Sequence, residues 1–277
     1  MTEERSRFAG GDQTYLREEQ YLDASRLEVR ANLHARYSTA TVGWYDWVVD
    51  RVDLSAGVRV LEVGCGAGWL WEQAVGTWPS DVTLTLTDLS SGMVEEACAR
   101  VAATGRFGGV EGRVADLQAL PFDGDRFDRV VANHMLYHLP DPALGVTELA
   151  RVVAADGTVV VATNGQEHLR ELFEIESEVF GVRGVNATIA VFGADVGFGI
   201  LRHHFGDVAW QACDDELWCT DPADVVAYLR STPPGEDATP DELERLERAV
   251  AGRFEAGGGT FVITKDVGAF VCGSPRR

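Results

Sequence analysis

Residues 58–71 restrict the fold more than any other stretch: Val58-Arg59-Val60-Leu61-Glu62-Val63-Gly64-Cys65-Gly66-Ala67-Gly68-Trp69-Leu70-Trp71. An apolar, β-branched run over 58–63 ends in a turn with glycine at 64, 66 and 68, and a helix starts near Trp69. A short apolar run bounded by a turn reads as a buried strand. Glycines in the turn allow positive φ and let a ligand approach main-chain N–H groups with no Cβ in the way. Strand, glycine turn and helix start together predict a cofactor cradle at the carboxyl end of a parallel strand.

The pattern recurs downstream. Further strands are predicted over 82–87, 112–116, 127–133 and 157–163, with helices over about 69–76, from Ser90 to about Ala103, and from Pro142 to Val153. Strands alternating with helices predict an α/β, doubly wound parallel sheet. Beyond Thr163 the rhythm breaks. A sixth strand is predicted over 208–217, helices over 222–231 and 239–255, and a closing hairpin of 259–265 and 268–272 around Asp266-Val267-Gly268. Thr239 is the expected N-cap of the last helix, with Pro240 at its first position. Residues 1–14 read as a frayed arm and 15–53 as helical. The division this implies is an N-terminal helical lid over 1–57 and a core over 58–277, with a substrate-cap insertion at about 165–206.

Bulk properties remove several function classes. A net charge of −20 argues against a nucleic-acid partner, since phosphate binding needs clustered Lys and Arg. No apolar run approaches the roughly 20 residues of a membrane span, and the charged N-terminus has no secretory h-region. The five cysteines, at 65, 98, 213, 219 and 272, are odd in number and scattered, with no CxxC pair. They fit a reduced cytoplasmic setting rather than a disulfide framework or a zinc site. Lys265 is the only lysine in the chain.

The glycine turn leaves two cofactors to consider. Dinucleotide sites use GxGxxG, and Trp69 stands where the third glycine would be. S-adenosylmethionine has a ribose, an adenine and an amino-acid tail but no pyrophosphate. Asp88 ends the second strand, where a carboxylate can take both ribose hydroxyls. Asp116 ends the third, where a carboxylate can accept from the adenine amino group. With neighbouring strand ends, Gly64–Gly68, Asp88 and Asp116 converge on one crevice. Each acid has a structural reading as a helix cap as well.

At these residues the chain resembles the class I S-adenosylmethionine-dependent methyltransferases, in their "type 11" small-molecule branch. The resemblance covers about 58–163. Val60–Gly68 looks like the first motif, Leu86-Thr87-Asp88-Leu89-Ser90 like the ribose loop, and Ala115–Phe122 like the adenine loop. Phe127–Val131 and Leu136–Asp141 look like the fourth strand and the turn after it. It implies a Rossmann-like, mostly parallel seven-stranded sheet and S-adenosyl-L-methionine as cofactor. The positions carried over as cofactor-binding are Glu62, Gly64, Cys65, Gly66, Gly68, Asp88, Leu89, Met93, Asp116, Leu117 and Asn133. It further implies methyl transfer by in-line displacement to a small-molecule acceptor, in specialised metabolism. A nucleotide-dependent oxidoreductase of the NAD type and a non-catalytic binding module on the same fold are the alternatives.

An acceptor that must lose a proton needs a base. His134 and His138 follow the fourth strand, share a face if that segment is helical, and have ordinary pKa values near neutrality. A structural hydrogen-bonding role is equally open for both, and no third ligand suggests a metal site. On the lid segment, Arg36 is a candidate for the methionine carboxylate and Tyr37 for the wall of the transfer site, beside readings as a surface arginine and a core tyrosine. Phe173, Phe180, Phe192, Phe198 and Phe205 read as core, with a few lining an apolar acceptor pocket. The oligomeric state, monomer or homodimer, is left open.

Overall fold

The computed structural model describes residue 14, residues 25–182 and residues 187–276. Apart from Thr14, the expected arm and the start of the first helix, up to residue 24, lie outside the described residues.

The glycine-turn strand, β1 (Arg59–Val63), is buried from Val60 onward. It pairs in parallel with β2 (Thr83–Asp88) on one side and with β4 (Phe127–Asn133) on the other. β3 (Gly109–Val114) extends the sheet beyond β2, and β5 (Val153–Asn164) lies parallel to β4. Two antiparallel strands, β9 (Val267–Pro275) and β6 (Phe205–Cys213), complete the order β3-β2-β1-β4-β5-β9-β6. The sheet is therefore seven-stranded, mostly parallel and Rossmann-like. Its strand order reverses at β1 and β4, and open α/β sheets bind ligands in the crevice beyond such a switch point.

Helices cover both faces. On one, α2 (Trp44–Val52), α3 (Trp69–Gln73) and α4 (Ser91–Ala103) bury Val48, Val52, Leu70, Trp71 and Ala97 against β1 and β2. On the other, α5 (Pro142–Val152) packs Val146 and Leu149 on Val130, Val159 and Val161. The remaining helices are α1 (Ser25–Tyr37), α6 (Arg170–Phe180), α7 (Ala187–Phe192), α8 (Ala194–His204), α9 (Pro222–Leu229) and α10 (Pro240–Ala256). Thr239 caps α10 in a full capping box with Glu242, and Pro240 opens the helix as expected.

Three expectations are corrected. The predicted sixth strand over 208–217 is two strands in different sheets: β6 stops at Cys213, and β7 (Glu216–Cys219) pairs with β8 (Phe261–Thr264) in a separate two-stranded sheet. The break has a cause. Asp215 is drawn out of the strand by Ser38 Oγ, the amides of Thr39 and Ala40, and Lys265. The closing hairpin does not form, because β8 and β9 on either side of Lys265-Asp266 belong to different sheets. Third, a smaller core outside the main sheet is not one contiguous insertion. It gathers Leu33 and Tyr37 of α1, Leu172, Ile175 and Val179 of α6, and apolar residues of β7, β8, α9 and α10. By contrast, Phe192 and Leu201, on α7 and α8, join the core of the main sheet, as does Phe205 where β6 begins.

Candidate active site

Three glycines shape the turn after β1, each for a separate reason. A Cβ on Gly64 would meet the Met135 side chain at 2.8 Å, so this glycine admits the loop that follows β4. A Cβ on Gly68 would meet Ala97 Cα at 2.8 Å, so this one lets α3 cross close to α4. Around Gly66 nothing lies within 4 Å, and its φ is +51°. Gly66 is the position that leaves the main chain open to a ligand.

Asp88 at the end of β2 is locked beside it. One carboxylate oxygen accepts from Gly66 N at 3.1 Å and the other from Ser90 N at 2.9 Å. Burial raises its pKa against the pull of those amides. Each oxygen keeps acceptor capacity for a diol. Glu62 is buried in β1 and accepts from Trp71 Nε1 at 2.7 Å, and burial pushes it up to about 8. Burial also drives the Cys65 thiol well above its ordinary value, which leaves it protonated rather than nucleophilic.

These groups open on a cavity of about 1800 Å³. Single-ligand pockets run to roughly 1,000 Å³, so this one has room for a cofactor and an acceptor together. Among the residues expected from sequence, the cavity wall includes Glu62, Gly64, Cys65, Gly66, Asp88, Leu89, Met93, Leu117, Asn133, His134 and His138. Gly68 lies behind the turn. The Asp116 carboxylate is not on the wall: it caps the short 3-10 turn at Leu117–Ala119, accepting from Gln118 N at 2.9 Å, while its neighbours Ala115 and Leu117 face the cavity.

Arg36 and Tyr37 are not brought to the site. Both side chains bond Asp224 of α9, at 2.7 and 2.5 Å. The lid arginine is thus engaged by a surface carboxylate and Tyr37 is part of the smaller core. Of the five phenylalanines, Phe173 lines the cavity.

The two histidines after β4 reach the cavity by a different geometry from the helical face expected. His134 has φ +55°, outside the helical region, and the 3-10 turn at Leu136–His138 begins only after it. Left-handed φ in a histidine is a local strain of the kind that collects at functional sites. The ring sits 5.1 Å from Trp44. Burial, with Lys265 and His138 nearby, pushes His134 down to about 3, so its ring is neutral rather than poised near pH 7.

The far wall holds residues the sequence did not single out as a group. His34 and His168 stack at 6.3 Å with rings 9° apart. Burial, again with nearby positive groups, pushes His34 to about 3 and His168 well below its ordinary value. Four of the six histidines therefore face one cavity. Lys265 lines it too, buried and paired with Asp215. Asn133 Oδ1, Asn164 Oδ1, His34 Nδ1 and His168 Nδ1 are buried with no partner among the described residues. No spacing rule links 34, 134, 168 and 265. The one sequence signal was that Lys265 is unique. Among the described residues, no group of three or more His, Cys, Asp and Glu is arranged to hold a metal ion.

Residues 61–161, from β1 to β5, match the family described as "Methyltransferase domain". The chain carries a class I methyltransferase domain. Over 117 residues this domain is 34% identical to methyltransferase GfsG of Streptomyces halstedii, covering 41% of this chain and 40% of that protein. The chain thus spans about half or less of the length of the curated relatives it matches. Among solved structures, Haemonchus contortus phosphoethanolamine N-methyltransferase 2, in complex with S-adenosyl-L-methionine, aligns at TM-score 0.58 and 17% identity. The alignment covers 96% of this chain and 60% of that one. The [4+2]-cyclase SpnF aligns at TM-score 0.53 and 17% identity, over 93% and 96% of the two chains. At these identities the structural matches establish the fold of the methyltransferase domain and nothing finer. No helix among the described residues is long and apolar enough to cross a membrane.

Proposed function

We propose that this chain transfers a methyl group from S-adenosyl-L-methionine to a small-molecule acceptor of specialised metabolism, in the cytoplasm. One observation carries the reading: the open main chain at Gly66, with the Asp88 carboxylate 3.1 Å from its amide, shares one cavity with a large polar and aromatic far wall. The residues present fit the cofactor. Gly66 leaves room where any other residue would add a Cβ, Asp88 has acceptor capacity for the ribose, and Leu89, Met93 and Leu117 offer apolar contact for an adenine. Bound there, the cofactor supplies a methyl group already activated by its sulfonium.

The chain's own part is to orient and to exclude water, which can supply most of the rate for such a transfer. Trp44, His134 and Tyr137 form a run of ring contacts on the cavity wall. The neutral His134 ring can accept a hydrogen bond from an acceptor hydroxyl or amine and fix its direction. The lowered pKa of His134 argues for this orienting role over removal of a proton at equilibrium. The net charge of −20 supports a small molecule over a nucleic acid.

Calorimetric titration tests the reading. S-adenosylhomocysteine should bind one to one and NAD should give no heat. Tight NAD binding without a response to S-adenosylhomocysteine would reject it in favour of a nucleotide-dependent oxidoreductase. A binding-only module would take the cofactor yet release no S-adenosylhomocysteine with any acceptor.

A further inference from the structure

The cavity wall contains one buried carboxyl group that no described residue pairs with. Glu176 lies on the inner face of α6, 7% exposed, one turn from Leu172 and Phe173 on the same cavity wall. No hydrogen bond or ion pair to it comes from any described residue. Burial alone pushes it up to about 8. A carboxyl left this way is a standing cost to the fold, since burying an ionisable group without a partner is unfavourable.

Other charged groups on the wall have partners of their own. Lys265 is paired with Asp215, Arg30 donates to the Ser231 carbonyl, Asp88 holds two amides, and Glu62 holds the Trp71 indole. The imidazoles of His34, His134 and His168 are neutral. No cation among the described residues is paired with Glu176, and a ligand that enters the cavity can bring that partner.

We infer that Glu176 recognises a basic nitrogen on the methyl acceptor, an aliphatic amine carried on an apolar body. An ammonium supplies both the N–H donors and the charge that lets the carboxyl ionise where it is buried, and charge-assisted hydrogen bonds are about twice as strong as neutral ones. Leu172 and Phe173 would cover the carbon framework next to it. The inference rests on the methyltransferase reading, because it assigns the far half of the cavity to the acceptor. It concerns recognition and leaves open which atom is methylated.

The test uses two probes of one shape, cyclohexylmethylamine and cyclohexylmethanol, titrated into the full chain saturated with S-adenosylhomocysteine. The amine should bind at least about tenfold more tightly than the alcohol, the range for a hydrogen bond to a charged group. In Glu176→Gln the two affinities should become equal, while S-adenosylhomocysteine, titrated in parallel, shows that the variant is folded. Equal affinities in the wild type, absence of amine binding, or a preference that survives in E176Q would each overturn the inference alone. Failure of the wild type to bind S-adenosylhomocysteine would overturn the cofactor reading, and this inference with it.

Discussion

On the glycine-turn side of the cavity, the groups on the wall come from the ends of neighbouring parallel strands, close in sequence. Gly66 follows β1, Asp88 ends β2, and two main-chain amides hold the carboxylate in place. On the opposite side the facing groups come from α1, the segment after β5, α6 and the link between β8 and β9, residues more than 200 positions apart. Asp215 ties two of these together, the end of α1 and the link between β8 and β9. Its carboxylate accepts from Ser38 Oγ at 2.7 Å and from the Thr39 and Ala40 amides at 3.0 Å, and it pairs with Lys265. The first side is set by backbone geometry and tolerates little change of residue type. The second is set by side chains meeting across the fold, so backbone geometry alone does not fix residue type there.

The sharpest way to break this contrast is Lys265→Met. The Asp215 side chain is 1% exposed and that of Lys265 7%, so the variant leaves a buried carboxylate without its counter-charge. Removing one partner of a buried pair costs about 3–5 kcal/mol. Denaturant unfolding should show that loss, and amide exchange should rise at Ser38–Ala40 and in β7 while β1 and β2 stay protected. A loss below about 1 kcal/mol would mean that Asp215 does not hold the far wall together.

Asp88→Ala should act on the other side alone. Loss of a charged acceptor costs about 1.5–3 kcal/mol, so affinity for S-adenosylhomocysteine should fall more than tenfold by calorimetry. An unchanged affinity would remove the ribose assignment.

The comparison explains what could be read from the sequence. The alternation from Val58 to Thr163 showed the parallel sheet, because strand-end chemistry is local: Gly66, Asp88 and their neighbours lie within 25 residues, and each strand carries its own turn. Leu89, Met93 and Asn133 came with that reading and lie on the cavity wall. His34, His168, Glu176 and Lys265 have no shared motif, because they are related only by the folded chain. Arg36 and Tyr37 lie off the cavity wall for a similar reason: position on a lid segment does not say which face of α1 points inward, and Asp224, nearly 190 residues later, decides it. The sixth strand failed at Asp215, where a side-chain network overrides the β pattern of 208–217.

A smaller effect separates the halves by pH. His34 and His134 have folded values of about 3, and His168 is also depressed, below the ordinary 6.5. The unfolded chain therefore takes up protons first. Stability from these neutral imidazoles is complete above pH 6.5 and is lost as pH falls from 6.5 toward 3. By denaturant unfolding between pH 6.5 and 5, His34→Gln should lower the slope of unfolding free energy against pH by up to about 1.4 kcal/mol per pH unit, while buried Glu62 and Glu176 act in the opposite sense in both proteins. An unaltered slope would mean that His34 is not held neutral.

Arg36→Ala should do least. Its ion pair with Asp224 is exposed, with Arg36 61% accessible, and such pairs contribute about 0–1 kcal/mol. Affinity for S-adenosylhomocysteine should stay within about twofold of wild type by calorimetry. A larger loss would return Arg36 to the cofactor side.

The division of the cavity is tested most directly by a crystal structure with S-adenosylhomocysteine bound. The ribose hydroxyls should lie on the Asp88 carboxylate, the ligand main axis should pass over Gly66, and the sulfur should face the side of the cavity lined by His134, His168 and Glu176. Ligand density seated against α6 and Lys265, with Asp88 touching only Gly66 and Ser90, would contradict that division.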